Sequence, residues 1–195
     1  MKIPKNIGLY FGTFNPIHIG HLIIAEQILS LSQLEEIWFV VSPQNPFKNK
    51  KSLLKANHRL AMVKIAIDDN PFFKACDIEF SLPQPSYTVH TLVYLQEKYT
   101  EKTFSLILGS DNLVTFDKWF NYEYILENYN IYVYPRPSSH ESPFDKHKSI
   151  KKINAPFIEI SSSYIRNAIK NNISVNYMLH PKVMKYIDEM NFYRK

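Results

Sequence analysis

Two histidines three positions apart, His18 and His21, close the string Gly12-Thr13-Phe14-Asn15-Pro16-Ile17-His18-Ile19-Gly20-His21. At that spacing on a helix both imidazoles face one end of the first turn. The unpaired N–H groups there, and the helix dipole, favour an anion. Such a pair can donate hydrogen bonds to phosphate oxygens and to negative charge that grows in a transition state. Gly12 and Gly20 flank the pair, in a chain that holds only four glycines, the others being Gly8 and Gly109. At a strand-to-helix turn a glycine lets the backbone approach a ligand or take a positive φ. A histidine pair is also half of a metal site, but no adjacent Cys, Asp or Glu completes it, Glu26 lying more than a turn away. No protein metal site is expected. The glycine spacing matches neither the dinucleotide fingerprint G-x-G-x-x-G nor the Walker loop.

A second anion-binding pattern lies near the other end, in "ISSSYIRNAIK". Serines before a helix cap it and expose N–H donors. Arg166, one turn in, adds a fixed cationic fork suited to phosphate. The plainer reading, an ordinary serine cap and a surface arginine, uses the same residues. Gly109 and Asp111 follow a strand in "LILGSDN", where Asp111 also suits a helix N-cap.

These residues need a scaffold, and the chain supplies one. Apolar runs read as strands at "NIGLYFG", "EEIWFVVSP", "FFKACDIE", "TFSLILGS", "NIYVYPRP" and "PFIEIS". Between and after them lie helical patterns from His18, from Leu54, from Ser86 or Thr88, from the serines at 161–163, and from Pro181. Alternating strands and helices predict an α/β fold, Rossmann-like and doubly wound, with a mainly parallel sheet and helices on both faces. Ligands of such sheets bind at the carboxyl ends of the strands, which is where the chemistry-bearing residues fall. The length predicts a single domain over 1–195, with a small C-terminal helical portion from about 161 to 195.

Composition narrows the classes further. The net charge of +5 and the pI of about 9.1 suit a phosphate-bearing substrate. There is no concentrated basic stripe of the kind nucleic acid needs, so no nucleic-acid partner is expected. Lys48, Lys50, Lys51, Lys55, Arg59 and Lys64 form one basic run, divided between ligand binding and a solvated face. No 18-residue apolar run and no secretory leader is present, so neither a membrane span nor export is expected. The single Cys76 suits a reducing cytoplasm.

The string G-T-F-x-P-x-H-x-G-H closely resembles the nucleotidylyltransferase superfamily that carries H-x-G-H after its first strand. By that resemblance His18 and His21, with Gly12, Thr13, Phe14 and Gly20, bind ATP phosphates and stabilise the transferred α-phosphoryl group. The segments "SPQNPFKNK", "PSYTVHTL", "LGSDNLVTFDKWFNYEYIL" and "ISSSYIRNAIK", in this order from about Ile7 to Tyr193, resemble the bacterial nicotinate-nucleotide adenylyltransferase family. The resemblance implies ATP binding by Gly109, Asp111, Arg136, Ser162, Ser163 and Arg166, with Arg166 joining the histidines in catalysis. It also implies binding of nicotinate mononucleotide by Lys48, Tyr87, Thr88 and Trp119. Trp119 could stack on a pyridinium ring or serve as core packing.

The implied reaction is adenylyl transfer from ATP to nicotinate mononucleotide, giving nicotinate adenine dinucleotide and pyrophosphate, with Mg²⁺ carried mainly on the ATP phosphates. Two features depart from the family pattern: Asn15 stands where an aspartate is frequent, and Phe47 where a histidine is frequent. The competing readings are a pantetheine-phosphate adenylyltransferase and a non-catalytic nucleotide-binding module. The sequence is compatible with a homo-oligomer.

Overall fold

The computed structural model describes residues 4–43, 53–137 and 141–194; Lys48 and Phe47 lie outside the described residues. In chain order the elements are β1 (Lys5–Gly12), α1 (Ile19–Ser30), β2 (Glu36–Val41), α2 (Ala56–Ala66), β3 (Phe73–Cys76), α3 (Thr88–Lys98), β4 (Lys102–Gly109), α4 (Ser110–Leu113), α5 (Tyr122–Asn128), β5 (Ile131–Tyr134), β6 (Ile150–Lys152), α6 (Ser162–Lys170) and α7 (Pro181–Glu189). Short 3₁₀ turns occupy Ile78–Phe80 and Phe116–Lys118. No helix of the described residues is long and apolar enough to cross a membrane.

The six strands form one parallel sheet in the order β3-β2-β1-β4-β5-β6. This is the doubly wound arrangement, with its crossover between β1 and β4. Strand residues alternate between two apolar layers. Ile37, Phe39 and Val41 of β2, with Tyr10 and Ile107, pack under α1, α2, α6 and α7. Trp38, Val40, Ile7, Leu9, Leu106 and Leu108 pack against α3, α4 and α5. All of β2 is buried, as a strand covered on both faces must be. The C-terminal portion is not an appendage to this core: Ile165, Ala168, Ile169, Val183 and Ile187 lie in the same layer as Tyr10 and Phe14.

The sixth strand differs from the sequence expectation. It lies at Ile150–Lys152, not in "PFIEIS", where no strand forms. Ile131 N–H donates to Ser149 O and Ile153 N–H to Val133 O, which brackets the pairing with β5. Pro156 lacks the ladder N–H, and Phe157 is 64% exposed, so that stretch runs outside the sheet. Lys151 and Lys152 are exposed on the edge strand, a common guard against edge pairing.

Opposite ends of the sheet are held by two different polar devices. At the amino ends, the buried Glu36 of β2 accepts hydrogen bonds from Lys5 of β1 (2.6 Å), Lys74 of β3 (3.0 Å) and Trp38 Nε1 (2.9 Å). At the carboxyl ends sits Arg59 of α2, fully buried and without a carboxylate among its described partners. Its guanidinium donates to Leu54 O (2.9 Å), Thr13 O (2.6 Å), Ser42 O (2.7 Å) and Pro43 O (2.7 Å). Burial pushes its pKa down to about 10, so it remains a cation at neutral pH. The sequence placed Arg59 in a basic run on the polar side of α2; the structure corrects this. Its side chain threads inward because four carbonyls leaving β1, β2 and the start of α2 need donors.

Two stability predictions follow from these devices. Glu36 resists its burial through three donors that hold its pKa near 2, below the ordinary 4.5. A depressed carboxylate pKa contributes stability at neutral pH that is lost as pH falls from about 4.5 through 2. Unfolding midpoints of Glu36→Gln and the unsubstituted protein should therefore differ at pH 7 and converge toward pH 2. For Arg59→Leu, four carbonyls lose their donor at about 1–3 kcal/mol each when left buried. If relaxation spares some of them, a net loss of about 3 kcal/mol lowers the midpoint by roughly 6–12 °C. Calorimetry checks this, with Arg59→Lys recovering only part of the loss because its donors radiate from one point.

Candidate active site

The turn after β1 is built around Phe14, not around a glycine. Phe14 has φ 45°, whereas no glycine of the described chain takes a positive φ. A bulky side chain in the left-handed region costs free energy and persists only where its surroundings hold it. Here the ring folds back under the strand end: a Cβ on Gly12 would come within 2.8 Å of Phe14 Cζ. The ring also meets Tyr10, Phe39 and His21 with centroids 5.8, 5.7 and 5.1 Å apart. Gly12 is thus required by Phe14, and Arg59 fixes the intervening Thr13 carbonyl. Gly20 has a similar reason. Its missing Cβ would lie 2.9 Å from Ile158 Cγ2 and 3.1 Å from His18 Nδ1, because the stretch after β6 crosses the start of α1.

His18 is the N-cap of α1 and His21 its third residue. Their rings stack with centroids 3.7 Å apart and planes 27° from parallel. His18 N–H donates to His21 Nδ1 at 3.2 Å. With Nδ1 accepting, the neutral His21 ring carries its proton on Nε2. His18 is 5% exposed, and its Nδ1 is buried without a hydrogen-bond partner among the described residues. Burial, and secondarily the Arg136 guanidinium, push its pKa down to about 3. The pair is therefore uncharged at His18, as two imidazoles stacked this closely require. Of the first N–H groups of α1, that of Ile19 donates to Met178 O at 2.9 Å and that of His21 to His18 O at 2.9 Å.

The C-terminal portion docks on this loop. Ser161 is the N-cap of α6 and accepts from Tyr164 N–H at 3.2 Å. Ser162 donates its hydroxyl to Pro16 O (2.9 Å), and Arg166 donates to Asn15 O (2.8 Å) and to Ser163 Oγ (3.2 Å). Ser162, Ser163 and Arg166 are thus brought onto the His18–His21 loop from about 150 positions away, although the cap itself is Ser161. Asn15 is buried, and its side-chain oxygen accepts from Tyr193 OH (2.8 Å) and Leu54 N–H (3.3 Å).

On the β4 side of the crossover, Gly109 caps α4 and leaves room for Asp111, whose Oδ1 would collide with a Cβ at that position. Asp111 faces Arg136 at 4.0 Å. Arg136 N–H donates to Ser110 Oγ (2.8 Å), and its guanidinium donates to Tyr134 OH (3.1 Å) and lies over the Tyr134 ring. Tyr134 OH meets Tyr10 OH at 3.5 Å, and Tyr10 adjoins His21. Burial first, then Tyr134, raises the Tyr10 pKa, so its hydroxyl keeps its proton. Gly109, Asp111 and Arg136 are linked in this way to the imidazole pair.

The expected pyridine-side residues form a second group. Tyr87 is the N-cap of α3 and Thr88 its first residue. Trp119 is half-buried and packs on Phe116 with centroids 5.2 Å apart. The freely presented ring beside it is Phe120, 48% exposed, which lies over Tyr87 at 4.8 Å and 33° and near His90 at 5.5 Å.

Sequence reasoning missed Arg59, Tyr10, Tyr134, Met178, Tyr193 and Phe120. A cation directly preceding the apolar stretch Leu60-Ala61-Met62-Val63 was the one available signal for Arg59. The others emerge only from tertiary contacts.

The cytidylyltransferase-like family profile matches residues 9–168. A probable nicotinate-nucleotide adenylyltransferase of Flavobacterium psychrophilum is 54% identical over 97% of this chain and 99% of its own length. One from Caldicellulosiruptor saccharolyticus is 39% identical over 97% of this chain and 99% of its own. Among solved structures, the Plasmodium falciparum nicotinic acid mononucleotide adenylyltransferase complexed with NaAD superposes with a TM-score of 0.79, at 26% identity and 97% coverage of both chains. With a family profile over most of the chain and relatives up to 54% identical along nearly all of it, this chain belongs to the nicotinate-nucleotide adenylyltransferases of the cytidylyltransferase-like family.

Proposed function

We propose that the protein transfers the adenylyl group of ATP to nicotinate mononucleotide, forming nicotinate adenine dinucleotide and pyrophosphate in NAD biosynthesis. The observation that carries the reading is the imidazole pair at the amino end of α1. It stands at the sheet crossover, with His18 Nδ1 buried and lacking a partner among the described residues, on the loop that Arg166 and Ser162 grip. Relatives 39–54% identical bear the nicotinate-nucleotide name, which favours this substrate over a pantetheine phosphate.

A phosphate oxygen of the mononucleotide forms a bond to the α-phosphorus of ATP while the α–β P–O bond breaks. The electron pair leaves on pyrophosphate. The nucleophile is already ionised at neutral pH, so no general base and no covalent intermediate is required. The protein's task is to position two polyanions and to stabilise equatorial charge. His21, its Nδ1 engaged by the backbone, presents Nε2–H as a donor. His18, neutral because buried, keeps one ring N–H with which to donate. Arg166, with Ser162 and Ser163 at the start of α6, supplies positive potential for the outer phosphates. Asp111 and Arg136 border the nucleoside side. Tyr87, Thr88 and Trp119 are assigned to the pyridine mononucleotide, and so is Lys48, outside the described residues.

A magnesium ion on the ATP phosphates would neutralise the leaving pyrophosphate. Such an ion takes most of its ligands from phosphate oxygens and water and needs few from the protein.

Pyrophosphate release from ATP, measured with nicotinate mononucleotide, nicotinamide mononucleotide and phosphopantetheine in turn, should be fastest with the first. Equal or faster release with phosphopantetheine would overturn the substrate reading. His21→Ala should lower kcat by about 10²-fold or more, the scale of a lost transition-state donor; a change confined to KM would remove that role. In the free protein, the His18 ring resonances should show no titration between pH 5 and 8, as its pKa of about 3 requires.

A further inference from the structure

The loop from Thr13 to His18 takes its shape from partners elsewhere in the chain, and one of them has no part in the reaction as described. Tyr193 OH donates to Asn15 Oδ1 at 2.8 Å, across 178 positions of sequence. Burial pushes the phenol pKa up, against the pull of the nearby Arg166 and Arg59 guanidiniums, so the hydroxyl keeps the proton it donates. The side-chain oxygen of Asn15 has a second, longer bond from Leu54 N–H at 3.3 Å, while its backbone oxygen holds Arg166. Tyr193 itself is in the left-handed region at φ 63°, a conformation that an L side chain keeps only when its contacts hold it there.

The segment carrying Tyr193 is anchored independently. Phe192 N–H donates to Ile187 O at 3.0 Å, the Phe192 ring packs on His58 at 4.9 Å, His58 bonds Tyr186 OH at 2.9 Å, and Arg194 pairs with Asp188. Loss of the one hydroxyl therefore leaves the strap docked and removes the shorter of the two bonds described at Asn15 Oδ1.

We propose that Tyr193 is a positioning residue for adenylyl transfer, acting through the Asn15 side chain to hold the loop that carries His18 and that Arg166 grips. The inference rests on the proposed reaction for its kinetic consequence, but its structural consequence can be read without substrate.

The test is Tyr193→Phe in the full chain, compared with Asn15→Ala and the double variant. Amide exchange at His18 and Ile19, which donate to His21 Nδ1 and Met178 O, should accelerate about tenfold in Tyr193→Phe while exchange within β1 stays unchanged. Unaltered exchange at His18 and Ile19 overturns the proposal whether or not the assigned reaction is correct. In pyrophosphate release, kcat per folded molecule should fall about tenfold, with KM for nicotinate mononucleotide within twofold of the original. The double variant should be no slower than the slower single one, the mark of residues that act as one unit. Unchanged kcat, multiplying losses in the double variant, or a loss accounted for by unfolded protein would each overturn it. Absence of pyrophosphate release by the unsubstituted protein would instead overturn the assigned reaction, leaving the exchange result to decide the role of Tyr193.

Discussion

The turn after β1 depends on one buried cation that has no carboxylate among its described partners. Arg59 spends its guanidinium on four backbone oxygens at the exits of β1 and β2, so the charge is solvated by carbonyl dipoles in place of water. Burying an ion is costly unless its donors are satisfied. The compensation here is geometric, since a planar fork can bridge strands that a point charge cannot. The Thr13 carbonyl is one of the four, which couples Arg59 to the unusual backbone of Phe14 and through it to the orientation of α1. The residues proposed to meet substrate stand on a frame fixed from behind.

Much of this was legible in the linear sequence, for identifiable reasons. Buried parallel strands are continuous apolar runs, so β1, β2, β4 and β5 stand out, and the rule that ligands bind at strand ends locates the histidines, Gly109 and the serines. The edge strand was misplaced because "IKKI" alternates poorly while "PFIEI" is apolar enough to mimic a strand. A three-residue pairing driven by two backbone bonds leaves no periodic signature. Arg59 read as part of a basic run because charge composition does not reveal which cation turns inward. Phe14 was invisible for another reason: glycine was the expected bearer of a positive φ. The structure instead uses glycine where a neighbouring ring, methyl or carboxylate fills the place of its Cβ. The scarcity of glycine thus reflects close packing at Gly12, Gly20 and Gly109 more than freedom of the backbone.

The electrostatics of the site follow the same logic of support from behind. His18 is neutral because it is buried and near Arg136, and His21 has its Nδ1 engaged by the His18 amide. Formal positive charge is kept on arginines, whose protonation is insensitive to pH, while the neutral His18 imidazole acts as an oriented dipole. The cleft can thereby attract polyanions without presenting a charge that titrates near neutrality at its most buried point.

Finally, the grip of the distant segment on the first loop has a kinetic side. The contacts that join Asn15 and Pro16 to Ser162, Arg166 and Tyr193 span 146, 151 and 178 positions. Contacts so far apart in sequence close late in folding, because the intervening chain must be ordered first. A half-folded polypeptide can thus assemble β1 and the helix behind it and still lack the shaped anion cradle. Until those three contacts close, the first loop lacks the partners that give it its shape.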